Sequence, residues 1–159
     1  RLDQLSETER TQLRRREFGI VLQFGQLVPE LTGVQNVALP LLLDRHDRRA
    51  ADTIARGWLE RVGAEGVAAA LPGEMSGGEM QRVAVARAVV GEPSILLADE
   101  PTGNLDSTNG EAVMDLLREL HRGGATICMV THDPRYAQYA ERTISLFDGR
   151  IVEEKVEVA

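Results

Sequence analysis

The chain has 159 residues, 43% hydrophobic and 27% charged, with a formal net charge of -7. That balance belongs to a globular domain long enough to bury a core, and its acidity excludes a charge-driven nucleic-acid partner. The one cysteine, Cys128, cannot form an internal disulfide and, within an apolar run, is expected to be a small buried thiol.

The elements follow in chain order. Ser6-Glu7-Thr8-Glu9 is a capping box opening a short charged helix that ends in Arg14-Arg15-Arg16, a solvated helix end whose charge suits the C-terminal dipole. Phe18 to Leu22 reads as a strand, followed by Gln23 and a loop containing Gly25 and Pro29. Thr32-Gly33-Val34-Gln35, a second capping box, leads a helix through Leu43. Asp47 starts another helix, whose apolar positions Ala51, Ile54, Ala55, Trp58, Leu59 and Val62 recur at helical spacing before Gly63. Trp58 is therefore expected in the core, and Thr32 to Leu71 reads as an all-helical insertion.

Ser76-Gly77-Gly78-Glu79 is a third capping box, opening a helix to Val90 with Gly91 as its stop. Ser94 to Ala98 and Ala125 to Val130 are apolar runs expected as buried strands, separated by a helix from about Ser107 to Arg122. Pro134 to Ala140 is a short helix, and Arg142 to Phe147 a strand turned back through Asp148-Gly149 onto Arg150 to Glu153. Strands alternating with helices predict an α/β fold with a parallel sheet. The longest apolar stretch, Val37 to Leu43, is broken by Pro40 and falls far short of the roughly 20 residues of a membrane span. With no signal peptide at its start, the chain is expected to be cytoplasmic, linked to a membrane through a partner.

Two stretches carry chemistry. Ile95 to Glu100 is an apolar strand ending in two carboxylates, at the sheet edge where α/β proteins bind ligands. In a nucleotide hydrolase the first would hold magnesium and the second would orient or deprotonate the attacking water. Met75 to Glu79 places two glycines at a helix N-terminus, where unpaired N–H groups and the helix dipole favour a phosphate. Taken singly, the first could be a strand that merely meets solvent and the second an ordinary capped helix.

The order of motifs decides between these readings. Gln23 follows a strand; then come Met75 to Arg82, Ile95 to Pro101, Asn104-Leu105-Asp106 and Val130-Thr131-His132-Asp133. From about Arg14 to Glu153 the chain resembles the ATP-binding-cassette (ABC) family. The resemblance implies a P-loop NTPase-like parallel sheet with an inserted helical subdomain at about 29–90 and the catalytic core at 14–28 and 91–159. It implies that Gln23 touches magnesium and the reaction water and that Asp99 binds Mg2+. Glu100 would be the catalytic carboxylate and His132 the switch residue reaching the γ-phosphate. Ser76, Gly77, Gly78 and Glu79 would clamp the ATP held on a second copy, with Asp106 at the dimer interface. The implied cofactors are ATP and Mg2+. The implied partners are a second ATPase subunit, head-to-tail, and transmembrane permease subunits, on the inner face of the cytoplasmic membrane. Leu27 to Thr32, Asn36 to Leu43 and Asp99 to Asp106 resemble the branch serving lipoprotein-releasing and macrolide- or peptide-export transporters.

There are departures from the family pattern. Met75 stands where leucine is usual, Glu79 where glutamine is commoner, and Met80 replaces a polar residue. No G-x-x-x-x-G-K-[ST] run occurs in the 159 residues. The chain is accordingly expected to lack the N-terminal phosphate-loop strand, which by the resemblance lies between Ala125–Val130 and Arg142–Phe147. Those two strands should then have unpaired N–H and C=O groups on their facing edges, Ala125–Val130 becoming an exposed edge, and the chain alone should bind ATP poorly and not hydrolyse it. Leu39 to Leu43, beside the Gln23 loop, are expected to offer an apolar surface to the permease. The alternatives are a soluble ABC ATPase of translation or DNA repair, which would carry tandem cassettes, coiled-coil arms or zinc-binding cysteines, or a non-functional gene fragment.

Overall fold

Hydrogen-bonded caps start the helices where the spacing predicts. The computed structural model describes residues 2–23, 26–103 and 105–156; Gly25 of the expected loop and Asn104 of the Asn-Leu-Asp run lie outside them. In α1 (Glu7–Glu17), α2 (Gly33–Leu43) and α4 (Gly77–Val89), the N-cap Ser6, Thr32 or Ser76 accepts a backbone bond from the third helical residue, which caps back in return. Asp47 and Asp106 cap α3 (Arg48–Arg61) and α5 (Ser107–Arg122), and Asp133 caps the single turn α6 (Pro134–Ala137). Each such cap contributes about 1 kcal/mol.

The strands β1 (Phe18–Val21), β2 (Ile95–Asp99) and β3 (Thr126–Val130) form one parallel sheet in that order. The register aligns Val21 with Ala98, and Asp99 with Val130, so the C-terminal ends of all three strands share an edge. A separate antiparallel pair, β4 (Arg142–Phe147) and β5 (Arg150–Val156), turns at Asp148 and Gly149, both at positive φ as a tight hairpin requires. Among the described residues β3 pairs with β2 alone and β4 with β5 alone, the separation expected from the sequence.

Burial follows a period of two, and this corrects two expectations. In the sheet, Val21, Leu96 and Ala98 are buried, while the row Ile20, Leu97 and Cys128 faces outward. β2 is therefore half-covered, β3 alternates exposed and partly buried, and neither is the fully buried strand that its composition predicts. Cys128 is exposed because its register puts it on the open face.

The covered face meets α4, whose Gln81, Val83, Ala84, Val85, Ala86 and Val89 are all buried. Gly19 makes this approach possible: a Cβ there would collide with the Ala88 carbonyl oxygen and sit 2.7 Å from Leu96 Cδ1. Beyond α4 lie α2 and α3, with Val37, Leu41, Ala51, Ala55, Trp58 and Leu59 in the same core. Burying a side chain such as Leu59 or Leu96, both nearly inaccessible, contributes about 1.5–3 kcal/mol. Trp58 is core as predicted. Ile54 is not; it flanks the buried stripe of Ala51, Ala55, Trp58 and Leu59 and is exposed. The arginine-rich end of α1 is also not merely solvated. Arg15 and Arg16 pair with Asp44 at 2.9 and 3.2 Å, and Arg15 donates to the Leu43 carbonyl, tying α1 to the end of α2. The Arg16 hydrogen bond, ahead of the two arginine charges, holds the Asp44 carboxyl below its usual range.

The loop before α2 hangs on one buried side chain. Asn36, fully buried, accepts from Val28 N–H at 2.8 Å and donates to the carbonyls of Val28, Leu31 and Thr32. Asn36→Ala leaves these groups unpaired in a dry site and is expected to cost about 3 kcal/mol, read by chemical denaturation. A loss below about 1 kcal/mol would refute this assignment.

His121, at the end of α5, gives the fold a pH dependence. Its Nδ1 faces the Ala125 carbonyl at 3.0 Å and its Nε2 faces Glu141 at 3.2 Å, so only the imidazolium donates on both sides. The Ala125 bond, then the Glu141 bond, raises its pKa above 6.5. A pKa raised on folding adds stability that is complete below the unfolded pKa and fades as pH rises through the folded one. The stability gap between this chain and His121→Ala is thus expected to be wider at pH 5.5 than at pH 8.5. An equal gap at both pH values would show that neither contact matters.

Candidate functional site

Three strand ends converge on one edge of the sheet. Gln23 follows β1 at its surface, Asp99 closes β2 with Glu100 just beyond, and His132 lies two residues past β3. Glu100 N–H donates to the Val130 carbonyl at 2.9 Å, continuing the β2–β3 ladder by one bond. The chain then turns sharply: Glu100 has φ 47°, a left-handed conformation that is costly for a non-glycine residue. Gly103 N–H closes the turn onto the Glu100 carbonyl at 3.1 Å.

This turn brings Glu100 and His132 together. Glu100 Oε1 accepts the His132 backbone N–H at 2.9 Å and faces His132 Nδ1 at 2.6 Å. The Glu100 side chain is only 12% exposed, whereas that of His132 is 81% exposed. Nδ1 beside a carboxylate is the donor, which turns Nε2 to the open side of the ring. The result is a mostly buried carboxylate held by an exposed imidazole ring. Asp99, adjacent and exposed, adds a second carboxylate at the same edge. Among the described residues no three His, Cys, Asp or Glu side chains converge to hold a metal. Oxygen donors such as Asp99 and Gln23 suit a hard cation that takes further ligands from phosphate.

The Ser76–Glu79 cluster stands apart. Its hydrogen bonds run between Ser76 and Glu79: Glu79 N–H to Ser76 Oγ at 3.3 Å, and Ser76 N–H and Oγ–H to Glu79 Oε2 at 2.7 Å each. The Ser76 hydroxyl, then its N–H, then the Arg82 charge, lowers the Glu79 pKa and keeps it a carboxylate. Gly77 is exposed and a Cβ there would meet nothing within 4 Å, so the bare backbone faces open space. Asp106 also lies apart, accepting the Asn109 backbone and side-chain N–H groups at 2.9 and 2.6 Å. The Asn109 backbone bond, first among these contacts, holds its pKa low. The structure therefore groups Gln23, Asp99, Glu100 and His132 at one edge, with Ser76–Glu79 at the start of α4 and Asp106 at the start of α5, both within reach of the Arg82 charge.

Sequence reasoning passed over Gln81. It is buried in α4 and donates from Nε2 to the Pro101 carbonyl at 3.0 Å, next to Glu100. The available signal was a polar residue on the apolar stripe of that helix. The Leu39–Leu43 surface is partly as expected: Leu41 is buried, Leu39 intermediate, and Leu42 and Leu43 are exposed. No described helix is long and apolar enough to cross a membrane.

Comparison with known proteins joins these surfaces to a family. Residues 2–103 match the family described as ABC transporter. The chain is 51% identical, over 87% of its length, to the lipoprotein-releasing system ATP-binding protein LolD of Syntrophotalea carbinolica, covering 61% of that relative. It is 44% identical over 93% of its length to LolD of Shewanella oneidensis, covering 65% of it. The chain thus spans about three-fifths of the length of these curated relatives. Its fold superimposes with a TM-score of 0.92, at 38% identity, on a dimeric post-hydrolysis structure of the ATP-binding cassette MJ0796 bound to ADP and Pi, over 99% of this chain and 70% of the other. With its motifs in the family's order, its sheet edge built as described and residues 2–103 matched, the chain belongs to the ABC transporter family.

Proposed function

We propose that the protein is the ATP-hydrolysing motor of an ABC transporter that exports or releases a membrane-derived substrate, lipoproteins being the class its relatives' name gives. One observation carries the reading. At the carboxyl edge of a parallel sheet, a nearly buried carboxylate, Glu100, is gripped by an exposed histidine, with Asp99 beside it. A water accepting general-base help needs such an oriented carboxylate. With Oε1 taken by His132, Oε2 is the oxygen that would meet the water. His132 in its imidazolium form donates from Nδ1 to Glu100 and from Nε2 to a phosphate oxygen, so one ring aligns base and leaving charge.

Mg2+ bound through Asp99 and Gln23 would neutralise phosphate charge. Ser76, Gly77, Gly78 and Glu79 are the residues we assign to the γ-phosphate of ATP on a second copy: Gly77 leaves the start of α4 uncovered, and Ser76 and Glu79, bonded to each other here, would re-pair around the phosphate. Asp106, which caps α5 and is exposed, would lie at the interface with that copy. The head-to-tail pair, the permease and a site on the inner face of the cytoplasmic membrane belong to the same reading, as does a helical subdomain over about 29–90 with the core at 14–28 and 91–159. Exposed Leu42 and Leu43 offer the permease an apolar contact. No nucleic-acid partner enters this reading; the net charge of -7 argues against one.

These 159 residues supply base, switch and signature but no phosphate-cradling G-x-x-x-x-G-K-[ST] run. Phosphate release by the chain alone is therefore expected to match that of its Glu100→Gln variant; a rate well above it would overturn this point. The functional reading is tested by joining the chain to the phosphate-loop segment of the Syntrophotalea relative. That chimera should hydrolyse ATP, and Glu100→Gln and His132→Ala should each slow it about a hundredfold or more. A folded chimera that hydrolyses no ATP, or one indifferent to Glu100→Gln, would sink the reading.

A further inference from the structure

Three polar side chains among the described residues are as buried as the apolar core: Asn36, Gln81 and Thr102. Asn36 organises the loop before α2. The other two meet at one place, the turn that follows Glu100. Gln81 projects from the second turn of α4, a buried position in line with Val85 and Val89, and donates to the Pro101 carbonyl at 3.0 Å. Thr102 lies within that turn and its carbonyl accepts from Leu105 N–H at 3.0 Å. One residue further along α4, Arg82 Nη1 donates to Asn109 Oδ1 at 2.7 Å, and Asn109 in turn binds Asp106. The second turn of α4 thus grips both ends of the connection between Glu100 and α5.

We infer that Gln81 is a positioning residue that fixes Glu100 in its bent, His132-bonded conformation and links it to the Ser76–Gly78 loop on the same helix. The physical chain is short. Ser76 to Gln81 spans about 7.5 Å of a single helix, which moves as one body. The Gln81 bond ends on the residue directly after Glu100, whose φ of 47° needs external support. A shift of α4 caused by a ligand at its N-terminus therefore reaches Glu100 through one hydrogen bond. The inference rests on the ATPase reading for what the link serves: a nucleotide on the second copy, touching Ser76–Gly78, would set the geometry of this copy's own base.

The test needs no nucleotide, so its outcome is separate from that of the ATPase reading. Amide hydrogen exchange is followed by NMR in the 159-residue chain. The reporters are His132 N–H, which donates to Glu100 Oε1, and Gly103 N–H, which donates to the Glu100 carbonyl. Gln81→Leu keeps the volume and removes the bond; exchange at both reporters should rise about tenfold, with the amides of β1 changing far less. Val83→Ala, a packing loss on the same helix, should raise exchange throughout and without this focus. Gln81→Glu is the conservative variant: its carboxyl donates only when protonated, so reporter protection, corrected for intrinsic rates, should return as pH falls. If Gln81→Leu does not fold, the pH profile of Gln81→Glu decides. Unchanged protection at His132 and Gly103, protection in Gln81→Glu that does not vary with pH, or the same pattern in Val83→Ala, overturns the inference.

Discussion

Parallel pairing of β2 between β1 and β3 is the constraint on which the rest depends. It forces three chain segments far apart in sequence to end on one edge, and so delivers Gln23, Asp99–Glu100 and His132 to the same place. One extra ladder bond, Glu100 N–H to the Val130 carbonyl, carries the pairing past the strand's end and aims the next turn. Without it the carboxylate would follow β2 outward. With it the chain bends at Glu100, and its carboxylate falls under the His132 backbone and ring. The backbone strain at Glu100 is tolerated because bonds on both sides over-determine it.

The second organising element is α4, and its role is mechanical as well as apolar. It packs between the sheet and the α2–α3 pair, with Gly19 letting the strand approach its carbonyls. Its N-terminus carries the open Gly77 backbone, its second turn holds the turn after Glu100, and near its end Arg87 donates to the Gln26 carbonyl in the loop after β1. One helix therefore carries one of the segments that the motif order singles out, touches a second at Pro101, and reaches the loop that follows a third, Gln23. Its stiffness explains why these segments lie at fixed distances although loops separate them in the chain.

Charge plays a smaller part in stability. The ion pairs are largely exposed: Arg61–Glu119, Arg56–Asp52, Arg142–Glu154 and Arg10–Glu7. Such pairs contribute about 0–1 kcal/mol each, so the fold rests on burial and on satisfied backbone groups. Arg61 illustrates the division: its guanidinium covers the buried Trp58 ring at 4.0 Å while its end meets Glu119 of α5. The packing carries more weight than the charge.

The sequence by itself determined the helices and the family. Caps, glycine stops and the 3.6-residue apolar spacing are local, so Ser6, Thr32, Asp47, Ser76 and Asp106 mark helix starts without reference to the rest of the chain. The site's residues at the sheet edge were legible for the same reason, since apolar runs ending in Asp-Glu or Thr-His need only a parallel sheet to bring them together. What only the tertiary structure decided is which face of each strand is covered. Cys128 and Leu97 share an outward row because register, a non-local property, assigns them to it. The same holds for Gln81, Asn36 and the Arg15–Arg16–Asp44 contact. Each joins residues distant in the chain, or satisfies backbone groups of a loop with no repeating pattern, and composition carries no trace of such a partner until the chain has packed.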